Sequence, residues 1–277
     1  MKKKILVTGG AGYIGSHTVV ELINDGFEPI IIDDFRNSES FVIDRLEDIT
    51  QTKIRVFNFD LTDENELRSF FKSNNDIFGV IHFAAYKAVG ESVNEPLKYY
   101  KNNVGSLVLL LELLEEFSIH NFVFSSSCTV YGEPDSPVVK ETTPIRKASS
   151  PYGDTKITCE KIIEYANASS DNLKAVSLRY FNPIGAHPSS KIGELPQGVP
   201  NNLLPYLTQT VNGLREVLTV HGDTYKKTVD GTCVRDYIHV VDLAKAHVQA
   251  IKWLEAKSEK VMDVFNLGTG KGSSVLE

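Results

Sequence analysis

Ile5-Leu6-Val7-Thr8-Gly9-Gly10-Ala11-Gly12-Tyr13-Ile14-Gly15 is the stretch on which the fold turns. Its apolar start reads as a buried strand, and Ile14 to Ile23 has helical spacing. Between them, Gly10, Gly12 and Gly15 satisfy G-x-G-x-x-G, and Gly9, Gly12 and Gly15 satisfy G-x-x-G-x-x-G. Both spacings demand a tight turn, a backbone that approaches a pyrophosphate, and a helix packed close to its strand. The helix N-terminus then turns free N–H groups and the positive end of its dipole toward the phosphates. The next apolar run ends in Asp33, 18 residues after Gly15. An acid at that point accepts from the ribose hydroxyls of NAD and repels a 2′-phosphate. Arg36 is the counter-indication, since a cation there suits NADP.

Outward from this loop, apolar β-branched runs recur at 5–8, 29–33, 54–59, 79–83, 121–125 and 175–180. Segments with helical spacing separate them, at 14–23, 63–71 and 96–117. Strand alternating with helix predicts an α/β fold, a Rossmann-type doubly wound parallel sheet covered on both faces. Asp60 ends the third strand, and Phe83-Ala84-Ala85 ends the fourth. Both lie at the carboxyl edge, where ligands bind in open α/β sheets. The small Ala84 and Ala85 let a cofactor lie against the backbone. From 182 to 205 prolines and glycines crowd too closely for regular elements. Helical patterns at 203–213 and 242–257 and an apolar run at 261–267 follow. The expected organisation is a dinucleotide-binding domain over 1–181 and a smaller C-terminal substrate-binding segment over 182–277.

Composition narrows the function classes. Of 277 residues 42% are hydrophobic and 23% charged, as in ordinary globular chains. The net charge of −7 excludes a global basic footprint for nucleic acid. Anionic ligands must therefore be held by local dipoles and a few placed cations. No apolar run approaches the roughly 20 residues of a membrane span, and Ile5-Leu6-Val7 is too short for a signal peptide. Cys128, Cys159 and Cys233 are widely spaced and odd in number, giving neither a disulfide framework nor a metal pair. A reducing cytoplasm and no metal site are expected.

The chemistry is carried by two strings. The fifth strand ends in Ser125-Ser126-Ser127-Cys128-Thr129, and Tyr152-Gly153-Asp154-Thr155-Lys156 follows. Tyr152 and Lys156 are four apart and share a face if helical. A free tyrosine, with pKa near 10, is a poor base at neutral pH. A neighbouring ammonium and a positive nicotinamide ring favour its phenolate. Ser127 can share a substrate hydroxyl's proton with Tyr152 while the carbon gives hydride to NAD.

Together these pieces resemble the extended short-chain dehydrogenase/reductase family. Longer strings narrow the likeness: Ile81–Ala85, Lys87–Ser92, Phe124–Gly132, Arg179–Pro188, Pro200–Leu203 and Val234–His239 look like those of its UDP-glucose 4-epimerases. The likeness spans essentially the whole chain. It implies a tightly held NAD that is not consumed, and interconversion of UDP-galactose and UDP-glucose through a 4-keto sugar, as in galactose metabolism. Tyr152, Ser127 and Lys156 are then the catalytic set, also facing NAD. To Gly9, Gly12, Gly15, Asp33, Asp60, Phe83, Ala84 and Ala85 the resemblance adds Tyr13, Ile14, Asn37, Ser38, Leu61, Lys87, Asn102 and Phe181 as cofactor positions. Asn182, Asn202, Leu203, His221, Arg235 and Tyr237 match positions that hold the UDP part, and Lys87, Ser127, Thr129 and Tyr152 complete the substrate set. Arg235 can clamp phosphate through its planar fork, or pair with the adjacent Asp236. His221 stands where the family carries a phenyl ring, and Leu195 replaces a common acid. A 4,6-dehydratase on the same scaffold needs an acid pair that Ser127-Cys128-Thr129 lacks. A reductase exchanging NADPH is opposed by Asp33, and a non-catalytic NAD-binding protein by the intact triad. The resemblance also implies a homodimer, and a chain that continues beyond Glu277.

Overall fold

Buried parallel strands need apolar cover on two sides, and this chain supplies both. The computed structural model describes residues 2–226 and 228–277. Seven strands form the main sheet: β1 (Lys4–Thr8), β2 (Glu28–Ile32), β3 (Arg55–Phe57), β4 (Ile77–His82), β5 (Asn121–Ser127), β6 (Lys174–Tyr180) and, from the C-terminal part, β9 (Val261–Leu267). Their order is β3-β2-β1-β4-β5-β6-β9, and every pairing is parallel. A second sheet of three strands joins β7 (Asn182–Ile184), β8 (Val234–His239) and β10 (Gly272–Ser274), in the order β10-β8-β7.

The helices are α1 (Tyr13–Asn24), α2 (Phe41–Thr50), α3 (Glu64–Ser73), α4 (Val89–Asn94), α5 (Pro96–Tyr99), α6 (Gly105–Glu116), α7 (Pro151–Ser169), α8 (Leu203–Val211) and α9 (Val240–Glu255). Alternate strand residues feed opposite layers, as the two-residue pleat requires. Leu6, Ile30, Val80, Phe122 and Phe124 pack under α3, α6 and α7. Ile5, Val7, Ile31, Ile81 and Val123 pack under α1, α2 and α9.

Three sequence expectations change here. The helix expected over 96–117 is interrupted: Tyr100–Val104 forms a π-helical turn between α5 and α6. The Pro- and Gly-rich run after 181 contains β7, which pairs with β8 in register from Asn182↔Tyr237 to Ile184↔His239. Residue 181 is also not where the main sheet ends. After leaving the sheet at Tyr180 the chain returns through α9 and β9, and β9 pairs with all of β6.

The layers bury three histidines, His17, His82 and His247. Burial lowers His17 and His247 to about 4 and His82 to about 3. The unfolded chain therefore binds more protons between those values and about 6.5. This contribution to stability is complete above pH 6.5 and is lost as pH falls toward 4. Each histidine adds up to about 1.4 kcal/mol per pH unit. Urea midpoints should drop steeply from pH 6.5 to 4.5; a flat profile would show that the three are already charged when folded.

Candidate active site

At the switch point between β1 and β4 the glycine loop is pinned by backbone hydrogen bonds at Gly9 and Gly12. Gly9 N donates to Ile32 O at 2.8 Å, and Gly12 N to Gly9 O at 3.1 Å. Gly9 has φ +71, and a Cβ on it would stand 2.8 Å from Ala84 N. A Cβ on Gly15 would stand 2.2 Å from Gly9 O. Gly12 precedes α1 as a cap without a side chain, and the first turn carries no acid, so no side chain of the helix itself competes with an anion for its leading N–H groups.

Asp33 organises this loop. Its Oδ2 accepts from Ala11 N at 2.9 Å, and its Oδ1 accepts from Phe35 N at 3.0 Å and Ser38 Oγ at 2.8 Å. A carboxylate has about four acceptor directions, so capacity remains for a hydroxyl. Arg36 is committed elsewhere. It pairs with Asp34 at 2.6 Å, with Asp60, and donates to Tyr86 Oη at 2.7 Å. The cation that suggested NADP is thus neutralised by two acids. Glycines whose side chains would fill the cradle, an acid at its ribose end and a spent arginine fit NAD. Leu61 is buried behind Asp60; Asn37 and Lys87 are exposed, and Tyr13, Ile14, Phe83, Ala84, Ala85 and Asn102 are half-buried. Tyr13 Oη donates to Gly185 O at 2.7 Å.

Asn103, which sequence reasoning missed, does the local locking. Its Oδ1 accepts from Tyr86 N at 2.8 Å, and its Nδ2 donates to Tyr86 O at 3.0 Å and Thr155 Oγ1 at 3.2 Å. It ties the segment after Ala85 to α7. The π-helical turn that aims it is a known marker of functional sites.

The three serines of β5 are used differently. Ser125 Oγ bonds Tyr180 Oη, and Ser126 Oγ donates to Glu160 Oε1 at 2.5 Å. Ser127 caps the short 3₁₀ turn Cys128–Tyr131, accepting from Thr129 N at 3.3 Å. Thr129 Oγ1 is buried without a hydrogen-bond partner among the described residues. Such an orphaned hydroxyl is costly unless a ligand or water meets it.

Ser150 caps α7 and Pro151 opens it, so Tyr152 and Lys156 stand on the first two turns. Lys156 Nζ donates to Ser125 O at 2.7 Å and lies 5.9 Å from the centre of the Tyr152 ring. Burial pushes Lys156 down to about 8. It pushes the Tyr152 phenol up, above the ordinary range, while Ser127 pulls it down. The neighbouring lysine alone therefore does not make Tyr152 a base; enclosure outweighs it.

Beyond the triad, Arg235 is exposed, and among the described residues it pairs with no carboxylate; its Nη1 donates to Val234 O at 2.8 Å. Asp236 does not take it. Asp236 accepts from Thr269 N and Thr269 Oγ1 at 2.8 Å and from Gly270 N at 2.8 Å. Asn182 Nδ2 donates to Asp236 O at 3.1 Å, and Tyr237 is its register partner. Asn202 stands at the N-cap position of α8, but its side chain donates to Glu194 Oε1 at 2.6 Å and does not cap the helix; Leu203 begins that helix. Phe181 follows β6 and touches the space beside Gly268. His221 is exposed in the irregular segment after α8.

The chain is similar to known proteins over nearly its whole length. The NAD dependent epimerase/dehydratase family model matches residues 5–268. The UDP-glucose 4-epimerase of Dictyostelium discoideum is 50% identical over 274 residues, covering 99% of this chain and 78% of that protein. The Bacillus subtilis UDP-glucose 4-epimerase is 49% identical, with 99% and 79% covered. The crystal structure of the Bifidobacterium longum enzyme with NAD+ and UDP superposes with a TM-score of 0.94 at 44% identity, covering 99% of this chain and 81% of that one. The chain therefore belongs to the NAD dependent epimerase/dehydratase family.

Proposed function

We propose that this chain interconverts UDP-galactose and UDP-glucose by inversion at C4 of the sugar, using bound NAD. What carries the reading is that Ser127 and Lys156 both stand against the Tyr152 side chain, in a chain half-identical to a UDP-glucose 4-epimerase. Gly9, Gly12 and Gly15 with Asp33 hold the cofactor, Asp60, Ala84 and Ala85 wall it, and Lys87 and Asn102 border it. Bound there, NAD supplies the hydride acceptor and donor and a positive ring.

Tyr152 Oη takes the proton of the sugar 4-hydroxyl, with Ser127 Oγ relaying between them. Lys156 adds positive charge from behind, favouring the phenolate that burial opposes. After the 4-keto sugar turns, Tyr152 returns the proton and the other face is reduced. Thr129 Oγ1 is placed to bond the sugar. Asn182, Asn202, Leu203, Arg235 and Tyr237 hold the UDP part, which lets the sugar swing on a fixed nucleotide. Incubation with UDP-galactose and no added hydride donor should yield UDP-glucose; none forming from the folded, NAD-loaded chain would sink the reading.

The free Arg235 guanidinium is assigned to phosphate. Arg235→Ala should weaken UDP binding by about 10- to 100-fold, the range of a charge-assisted hydrogen bond. Equal affinity by calorimetry would remove it from the site. We also propose a homodimer and a cytoplasmic setting. Leu97, 81% exposed, and Tyr165, 74% exposed, present apolar surface on α5 and α7, which suits a helical interface. The three cysteines are free, which suits a reducing compartment. Sedimentation at low concentration tests the dimer.

A further inference from the structure

Behind the proposed centre lies a buried ion pair that the chemistry above does not use. Glu160 stands one helical turn beyond Lys156 on α7, and Arg179 faces it from β6. Their side chains are 6% and 5% exposed. Arg179 Nε donates to Oε1 at 2.9 Å and Nη2 to Oε2 at 2.6 Å. Ser126 Oγ donates to the same carboxylate at 2.5 Å. Arg179 Nη1 donates to Tyr131 Oη at 3.0 Å, and Tyr131 Oη donates to Asn266 Oδ1 at 2.6 Å.

A buried ion pair is poor evidence of stability, because well-packed apolar residues usually do as well. Its meaning lies in what it touches. Ser126 sits between Ser125, whose carbonyl accepts from Lys156, and Ser127. Tyr131 closes the 3₁₀ turn that Ser127 opens. We propose that Glu160 and Arg179 are positioning residues for the Ser127–Tyr152–Lys156 centre, clamping Ser126 between its two neighbours and placing the carboxylate that keeps the Lys156 ammonium charged.

The surroundings of Lys156 leave that task to Glu160. On its own helix, Cys159 is pushed up to about 12 by burial and is neutral, as is Tyr152. On β4, His82 is buried and neutral. β5 offers the Ser125 carbonyl and the Phe124 ring, 4.8 Å from Nζ. On β6, Arg179 is a further cation, paired with Glu160. Desolvation lowers Lys156, and Cys159 and Glu160 oppose it; the thiol is neutral, which leaves the carboxylate paired with Arg179.

This inference rests on the epimerase reading, and its test separates the two. Nitrogen NMR of lysine Nζ, assigned by Lys156→Arg, follows the proton in the chain itself. In Glu160→Gln, Lys156 should lose its proton about one pH unit lower. The alkaline limb of kcat for UDP-galactose should move down with it at unchanged KM. Glu160→Asp keeps the charge and should hold both near wild type. Glu160→Gln leaves Arg179 unpaired inside, so Glu160→Gln/Arg179→Met is measured beside it and should fold and titrate low as well. A Lys156 titration unmoved in the folded variants overturns the proposal, as does failure of the double variant to fold. Failure of the epimerase reading looks different: the wild-type chain then makes no UDP-glucose, whatever Lys156 does.

Discussion

Tyr152→Phe should keep NAD and lose turnover by about 10³-fold, the middle of the range for a removed acid–base group. The substitution deletes one oxygen and leaves the ring, so packing is nearly unchanged. Tyr152 is half-buried and its ring lies beside Lys156, so Phe fits the same space. Ser127 and Lys156 remain but cannot replace the base. The hydroxyl of Ser127 is too weak an acid–base group, and Lys156 is tied to Ser125 O. The expected signature is a fall in kcat with the binding of UDP unaltered. It is read by single-turnover formation of UDP-glucose and by calorimetry with UDP. A variant with kcat within a few-fold of wild type would place the base elsewhere.

Gly15→Ala should weaken NAD binding by at least about 10-fold and cost about 1–3 kcal/mol of stability. The added Cβ would stand 2.2 Å from Gly9 O, 2.9 Å from Gly10 Cα and 3.0 Å from Gly9 C. All three atoms are backbone, so no side chain can swing aside. α1 has to lift from the loop, and its N-terminal N–H groups lift with it. Gly105→Ala is the control, since nothing lies within 4 Å of a Cβ there. It should be neutral or slightly stabilising, as Ala is the better helix former. Equal NAD affinity for the two variants would mean that the loop does not depend on close helix packing.

Much of the molecule is readable along the chain because its signals are local. Buried strands announce themselves as apolar runs, and Asp33 follows one at the right distance. Asp63 and Ser150 cap α3 and α7 where acids and hydroxyls belong. Glu160 was also within reach, since it continues the four-residue spacing of Tyr152 and Lys156. Asn103 was not: beside Asn102, no local pattern tells which asparagine turns inward, and a π-helical turn chooses. The counter-indication of Arg36 could not be weighed from neighbours alone for the same reason, as its partner Asp60 lies past the end of another strand.

Composition, periodicity and the glycine spacing were thus enough for the parallel sheet, the cradle and the Tyr152–Lys156 helix face, because each follows from neighbours within a few residues. Three things depended on the chain meeting itself. The seventh strand comes from 261–267, returning to pair with β6. Asp236 turns to the loop at Thr269 and Gly270 and not to its neighbour Arg235. Of three consecutive serines, Ser125 bonds Tyr180 and Ser126 bonds Glu160, which sets Ser127 apart as the cap of the turn that follows. Such choices are made by partners tens of residues away, and only packing brings them into hydrogen-bond reach.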